Sequence, residues 1–240
     1  MRGFKMKATA KAHTNIALIK YWGKRDESLI LPMNNSLSIT LDAFYTKTTV
    51  TFDPALNQDT FSLNHQIVSG KSLDRVSKFL NIVRAMARST IFAHVDSYNN
   101  VPTAAGFASS ASGFAALAAA STRALGLQLT DQELSRLTRQ GSGSACRSIY
   151  GGFVEWQKGD HSDGSDSYAV QIAPQHAWDL RVAAVVLSAD EKDISSREGM
   201  KRTVDTSVFY SKWVESIPKD LEDIKRGIQE RDFEKVGSIA

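Results

Sequence analysis

Hydrophobic and polar residues recur with two periods along the chain, and each period predicts its own kind of element. Alternation with a period of two predicts four strands in the first half, over 6–19, 37–41, 46–52 and 91–98. Apolar residues three and four apart predict a helix over 71–88, with a buried face of Leu73, Val76, Phe79, Leu80 and Val83. A second, alanine-rich helix is predicted after the strand 91–98, with a buried face of Phe114, Leu117, Ala118, Ser121 and Leu125.

The second half of the chain mixes helix and strand signals. Thr130 and Glu133 form a capping box, which predicts the start of another helix. Three strands are predicted, over 151–156, 168–172 and 181–187. The first two are expected to pair through an Asp-rich loop at 160–166, which lacks the order of a calcium loop and is predicted to be solvated.

The last 66 residues are predicted to form a second domain. An antiparallel helix pair is expected over 204–213 and 221–228, joined near Pro218. We place the domain boundary at residue 174, which gives domains 1–174 and 175–240. A helical pattern still runs through 231–240 without a stop signal, so we expect the chain to be a piece of a longer protein.

Composition narrows the class of partner. A chain of 240 residues with 42% hydrophobic and 23% charged residues can bury a large core. Its net charge of +3 suits small phosphorylated molecules better than nucleic acid. The single cysteine, Cys146, excludes an internal disulfide. With no signal-peptide pattern and no long apolar stretch, we expect a cytoplasmic protein that does not bind membranes.

The small-residue segment 102–113 is a candidate phosphate-binding loop. It lies between a predicted strand and a predicted helix, and the first turn of a helix offers unpaired N–H groups and a positive dipole end. Ser109 and Ser110 add hydroxyls, and Gly106 allows a ligand to approach the backbone closely. The alternative is a loop that only leads into a tightly packed helix. The pattern is not that of a common P-loop, because no Lys-Ser/Thr pair follows a second Gly at the required distance.

Three more clusters carry polar or cationic groups, at 21–24, 142–147 and 195–200. Taken singly, each is typical of a surface turn or a helix cap. Together with the candidate phosphate loop, they indicate a substrate with both phosphate and carboxylate groups. Arg147 fits the carboxylate, because a guanidinium pairs with it in bidentate fashion. The alternative is that Arg147 pairs with a core carboxylate such as Glu155 and only stabilises the fold.

These segments also carry a family resemblance. Residues 102–112 resemble the ATP loop of the superfamily of galactokinase, homoserine kinase, mevalonate kinase and phosphomevalonate kinase, although Phe107 replaces the usual Leu. Segments 15–26, 31–38, 141–148 and 193–200 resemble diphosphomevalonate decarboxylases, and the likeness runs from about Met6 to the last residue. It implies a two-domain α+β fold of the small-molecule kinase superfamily. The N-terminal domain would be like domain 2 of ribosomal protein S5, with a left-handed βαβ unit, and the C-terminal domain would be ferredoxin-like and incomplete.

The resemblance also implies an activity: decarboxylation of (R)-5-diphosphomevalonate to isopentenyl diphosphate, with ATP and Mg²⁺, in the mevalonate pathway of isoprenoid biosynthesis. The catalytic residues that it implies are Arg147 for the carboxylate, Asn15 to position Arg147, and Lys192 for the γ-phosphate. The substrate-binding residues that it implies are Tyr21, Trp22, Gly23, Lys24, Arg75, Ser142, Gly143, Ser144, Ala145, Cys146, Ser195, Ser196 and Arg197. The ATP-binding residues that it implies are Ser97, Pro102, Gly106, Ala108, Ser109, Ser110 and Ser112, with Ser109 also binding Mg²⁺.

One family feature has no counterpart in this sequence. The catalytic Asp of the family lies in a C-terminal segment that the sequence lacks, and Asp190, Asp193 and Asp205 stand in other motifs. Two alternatives therefore stay open beside the decarboxylase: a kinase of the same superfamily that stops at the phosphorylated product, and a non-catalytic chain that binds ligands. The resemblance further implies a homodimer.

Overall fold

The structure is a computed structural model that describes residues 6–101, 109–183, 194 and 196–240. The strands are β1 Lys7–Ile19, β2 Lys24–Asp26, β3 Leu31–Pro32, β4 Ser36–Phe52, β5 Thr60–Leu63, β6 Gln66–Val68, β7 Ala93–Asn99, β8 Phe153–Trp156 and β9 Ala169–Ala173. The helices are α1 Lys71–Ala87, α2 Ser109–Ala124, α3 Asp131–Arg139, α4 Ser196–Thr206, α5 Tyr210–Glu230 and α6 Phe233–Ile239, and Gly143–Ile149 forms a 3₁₀ helix. The expected α+β class is confirmed.

Seven of the strands form one mixed sheet in the order β6-β5-β7-β4-β8-β9, with β1 also paired to β4. The predicted strand pair 37–41 and 46–52 is wrong, because β4 runs unbroken through both segments. Its first residues pair with β8 and its last with β7, while β1 runs antiparallel to both parts. The register of β1 and β4 shifts between the pairs Asn15–Thr40 and His13–Tyr45. Such a bulge bends a strand, and here β4 changes neighbour at that point.

Helices α1 and α2 cover the sheet and enclose the larger core. Both predicted helices are confirmed, and Phe79 and Phe114 meet edge to face, with ring centroids 5.6 Å apart. The many alanines of α2 allow the helix to approach β1 and β4 closely. The parallel pair β5–β7 is connected through α1. The left-handed sense of this crossover stays a prediction.

The predicted helix pair near Pro218 is wrong, because α5 is one continuous helix with Pro218 inside it. Proline removes one backbone hydrogen bond and usually kinks or ends a helix. Here Ile217 and Leu221 are both buried in a second core with Leu37 and Phe153, so packing on either side of the proline holds the helix together. Helix α6 then follows after a left-handed residue at Arg231.

The remaining predictions have mixed outcomes. The capping box of α3 and the pairing of β8 with β9 are confirmed. Of the predicted strand 181–187, residues 181–183 are exposed and are not in a strand, and the rest lies outside the described residues. Asp166 closes the Asp-rich loop by accepting backbone N–H groups from Asp160 and His161. None of the described helices has the length and apolar character needed to cross a membrane.

Candidate ligand-binding site

Arg147 is a buried cation whose side-chain hydrogen bonds, among the described residues, all go to neutral oxygens. Its Nε donates to Ser38 Oγ at 2.9 Å, its Nη1 to Ser36 Oγ at 2.5 Å, and its Nη2 to Asn15 Oδ1 at 3.2 Å. The residue is only 2% exposed, and this burial lowers the pKa of its guanidinium. No carboxylate of the described part of the chain forms an ion pair with it. Since a guanidinium has five N–H groups, two remain for a ligand.

Glu155 is not the partner of Arg147, so the alternative pairing of these two residues is wrong. The carboxylate of Glu155 accepts Lys225 Nζ at 2.5 Å and Asn35 Nδ2 at 2.8 Å. It is therefore already neutralised by the cation of α5. A buried charge without an opposite charge is costly to fold, and proteins keep such groups mostly where they bind something. Arg147 thus fits a binding role better than a structural one.

Asn15 holds Arg147 against the 3₁₀ helix. Its amide donates to Ser144 O at 3.1 Å and to Ser148 Oγ at 2.8 Å, which leaves its carbonyl oxygen free to accept from Arg147. The side chain is 4% exposed. The contact that the resemblance implied between Asn15 and Arg147 is therefore present, while the roles of both residues toward a ligand stay predictions.

Tyr21 places a phenol next to this cation. Its ring lies against Trp156 with centroids 4.7 Å apart, and its buried hydroxyl has no hydrogen-bond partner among the described residues. Burial, and then the negative charge of Glu27, raise the pKa of Tyr21, while Arg147 acts in the opposite direction. The hydroxyl therefore stays protonated at neutral pH. An unsatisfied buried donor of this kind suits a ligand oxygen.

The segment 20–24 carries one more cation into the site. The ammonium of Lys24 pairs with Glu27, and the side chain of Lys24 is 6% exposed whereas that of Glu27 is 69% exposed. An exposed carboxylate gains little from such a pair, so an anionic ligand can compete for Lys24. Gly23 has a φ of +98°, a conformation that favours glycine.

The predicted small-residue loop 141–148 is mostly helical in the structure. Gly143, Ala145 and Cys146 are buried in the 3₁₀ helix, and Ser142 and Ser144 are partly exposed. A Cβ at Gly143 would stand 2.8 Å from Tyr21 Cε1, so only glycine lets the tyrosine ring lie here. Burial raises the pKa of the Cys146 thiol to about 12. The structure thus brings Tyr21, Arg147 and the 3₁₀ helix together.

A separate cavity of about 190 Å³ adjoins the N-terminus of α2. Of the predicted site residues, four line it: Arg75, Ser97, Ser109 and Ser110. Phe61, Leu63, Val76 and Val95 supply apolar walls. Ser112 lies one turn into the helix, where it is fully buried and hydrogen-bonds to Thr46 Oγ1 at 2.8 Å.

Arg75 lines the cavity beside α2, and its predicted contact with the diphosphate stays a prediction. Its guanidinium is 5.1 Å from the ring centroid of Phe114, and its pKa is lowered by desolvation and by the like charge of Arg197. Arg197 and Ser196 begin α4 and are exposed. The predicted residues Pro102, Gly106, Ala108, Lys192 and Ser195 lie outside the described residues.

Several residues at the site had no role assigned from the sequence: Ser36, Ser38, Ser148, Asn34 and Tyr210. The alternation Ser36-Leu37-Ser38-Ile39 could have identified the first two, because it puts two hydroxyls on one face of a strand whose other face is apolar. Nothing in the local sequence around Tyr210 indicates a link to the site.

Comparison with known proteins gives the family. The model of the diphosphomevalonate decarboxylase-like N-terminal domain matches residues 12–169, and that of the mevalonate 5-diphosphate decarboxylase C-terminal domain matches residues 182–240. A diphosphomevalonate decarboxylase of Ganoderma lucidum is 44% identical over 248 residues, covering 97% of this chain and 62% of the relative. The chain belongs to the diphosphomevalonate decarboxylase family.

Solved structures agree with this assignment. A mevalonate diphosphate decarboxylase of Staphylococcus aureus has a TM-score of 0.89 and 51% identity, with 97% of this chain and 70% of that chain covered. A structure described as MDDEF in complex with MVAPP, AMPPCP and magnesium has a TM-score of 0.85 and 52% identity, with 97% and 71% covered. The chain spans only about 60% of the length of the curated relatives that it matches.

Proposed function

We propose that this chain binds (R)-5-diphosphomevalonate together with ATP and Mg²⁺ and takes part in the ATP-dependent decarboxylation that yields isopentenyl diphosphate, ADP, phosphate and CO₂. The observation that carries the proposal is Arg147, a buried cation whose described partners are all neutral. A substrate carboxylate would supply the missing opposite charge through two parallel charge-assisted hydrogen bonds.

The diphosphate end of the substrate would bind at the 20–24 segment. Lys24 offers an ammonium, and Tyr21 offers a hydroxyl without a hydrogen-bond partner among the described residues; the two lie three positions apart in the segment 20–24. Ser142 and Ser144, which are partly exposed beside Tyr21, would add hydroxyl groups. Arg147 would then orient the carboxylate at the opposite end of the same small molecule.

ATP would bind at the cavity beside α2, because the side chains that line this cavity match the chemical groups of ATP. The apolar walls suit a nucleoside base, and the serines at the start of a 16-residue helix suit phosphates. The described residues contain no cluster of His, Cys, Asp and Glu that could hold a metal ion by itself. As the resemblance implies, the hydroxyl of Ser109 would help to hold Mg²⁺ together with the phosphates of ATP. Lys192 would approach the γ-phosphate, as the resemblance implies.

In this proposal ATP supplies a phosphoryl group that turns the tertiary 3-hydroxyl into a leaving group. Loss of that phosphate makes carbon 3 electron-poor, and the C–C bond to the carboxylate breaks to give the new double bond and CO₂. In this reaction the residues described above bind the substrate and orient its carboxylate. Arg147 keeps the carboxylate in place, and its buried surroundings exclude water that would capture the electron-poor carbon.

The test is a mass balance on the purified chain with ATP, Mg²⁺ and substrate labelled in the carboxyl carbon. Equal amounts of ADP and labelled CO₂ support decarboxylation. ADP without CO₂ supports the kinase that stops at the phosphorylated product. Binding of both ligands without ADP supports a non-catalytic chain, and failure to bind 5-diphosphomevalonate refutes the proposal.

We also propose a domain boundary near residue 174, a homodimeric assembly and a cytoplasmic location. The two family models end and begin on either side of that boundary, at 169 and 182. Limited proteolysis tests the boundary, since a stable product ending near Pro174 is expected. Light scattering tests the dimer, for which 52 to 53 kDa is expected from a chain of 26.3 kDa.

A further inference from the structure

Tyr210 joins the C-terminal helices to the segment that carries Tyr21 and Lys24. It is the first residue of α5, and its hydroxyl donates to the backbone carbonyl of Trp22 at 2.8 Å. The two residues are 188 positions apart in the chain. The bond therefore connects two distant parts of the protein at the centre of the 20–24 turn.

The turn is shaped around this tyrosine. A Cβ at Gly23 would lie 2.0 Å from Tyr210 Oη and 3.1 Å from Met33 Cγ, so no other residue fits between them. Gly23 is buried and has a positive φ. The absence of a side chain at Gly23 thus serves the close approach of Tyr210 as well as the backbone conformation.

The other hydrogen bonds of the turn come from nearby in sequence. Asn34 accepts the N–H of Trp22 at 3.5 Å, and the N–H of Met33 donates to the carbonyl of Gly23 at 3.1 Å. Within the described residues, only Tyr210 reaches Trp22 or Gly23 by a hydrogen bond from another part of the fold. The long Trp22 bond to Asn34 is weak by its distance, which gives the Tyr210 bond more weight.

We propose that Tyr210 is a positioning residue: its hydroxyl fixes the Trp22 carbonyl and thereby the directions in which Tyr21 and Lys24 present their side chains. This inference rests on the proposed function, in which those two side chains bind the diphosphate. Tyr21 and Lys24 flank the anchored residues Trp22 and Gly23, so a small rotation of the turn moves both. Tyr210 itself need not contact the ligand.

The test is Tyr210→Phe, which removes one hydroxyl and keeps the ring. One lost hydrogen bond of ordinary strength corresponds to about a twofold to tenfold change in an equilibrium. We expect the dissociation constant for 5-diphosphomevalonate to rise by about that factor, with less than a twofold change for ATP. Amide hydrogen exchange in 21–24 should accelerate, because the turn opens more often.

Tyr98→Phe is the matched control, because Tyr98 is 47% exposed on β7 and does not line the α2 cavity. It should change neither the exchange in 21–24 nor the affinity for either ligand. Unchanged exchange in Tyr210→Phe, or equal losses of affinity for both ligands, would overturn the inference. If the unaltered chain does not bind 5-diphosphomevalonate, the proposed function fails, and the exchange comparison alone then decides whether Tyr210 anchors the turn.

Discussion

Replacing Arg147 by Lys separates recognition of a carboxylate from stabilisation of the fold. Arginine can pair with a carboxylate through two parallel hydrogen bonds, whereas an ammonium on a shorter reach provides one at best. A hydrogen bond to a charged group contributes about 1.5–3 kcal/mol. Arg147→Lys should therefore weaken the binding of 5-diphosphomevalonate by about 10-fold to 150-fold.

The same substitution should also destabilise the fold, because Arg147 donates hydrogen bonds to three buried side chains. Lysine cannot donate at once to Ser36, Ser38 and Asn15, so at least one buried oxygen loses its donor. We expect a loss of about 1–3 kcal/mol in the free energy of unfolding. For a chain of this size that lowers the melting temperature by about 2–12 °C. A fall in melting temperature is thus compatible with a binding role and does not by itself decide the question.

Two ligands and one control variant decide whether Arg147 recognises the carboxylate or only stabilises the fold. Isopentenyl diphosphate lacks the carboxylate, so Arg147→Lys should leave its affinity nearly unchanged when binding is measured by calorimetry well below the melting temperature. Arg139 is an equally buried arginine, and its partners among the described residues are the backbone carbonyls of Leu29, Gly164 and Ser167. Arg139→Lys should destabilise the fold without changing the preference between the two ligands. Equal losses for both ligands in Arg147→Lys would refute the reasoning.

Three further predictions follow from buried groups. The Cys146 thiol, with a pKa of about 12, should resist thiol reagents at pH 8 in the folded chain and react at once in denaturant, as a colorimetric thiol assay would show. Asp59→Asn should lower the free energy of unfolding by about 3–5 kcal/mol in denaturant titrations, because Asp59 accepts both Nη atoms of Arg84 at 2.9 Å and Arg84 would stay buried without an opposite charge. Gly143→Ala should displace the Tyr21 ring and lower the affinity for 5-diphosphomevalonate more than the affinity for ATP, as measured by calorimetry. Equal losses of affinity for the two ligands would contradict the role given to the contact between Gly143 and Tyr21.

Local patterns were sufficient for elements whose own residues decide their structure. Most of the buried faces of α1 and α2 and the capping box of α3 could be predicted because each depends on residues three or four apart. The exceptions are Leu73, which is only partly buried, and Leu125, which follows the end of α2 and is partly buried. The prediction at Pro218 was wrong because a local rule was outweighed by the packing of Ile217 and Leu221 against distant strands. The break expected inside β4 was wrong for a similar reason, since β1 pairs with β4 on both sides of the bulge between Thr40 and Tyr45 and so keeps the two parts in one strand.

The residues of the candidate site also fall into those that local sequence patterns indicate and those that only the fold brings together. The segments with Tyr21 and Arg147 could be found from the sequence, because each carries its functional groups within a few positions. The alternation at 36–39 could have drawn attention to Ser36 and Ser38, but their pairing with Arg147 could not be predicted, since they are 111 and 109 residues away from it in the chain. Tyr210 was missed for the same physical reason. Residues that orient a functional group are selected by three-dimensional proximity, and sequence patterns do not record that.

The unbroken strand β4 has a consequence for how the molecule folds. It is the common neighbour of β1, β7 and β8, so the two sides of the sheet cannot be joined before β4 is in place. Its pairing with β8 joins residues more than a hundred positions apart, and closing such loops slows folding. We therefore expect the sheet to form late and to unfold in one cooperative step, with the amides of β4 among the slowest to exchange.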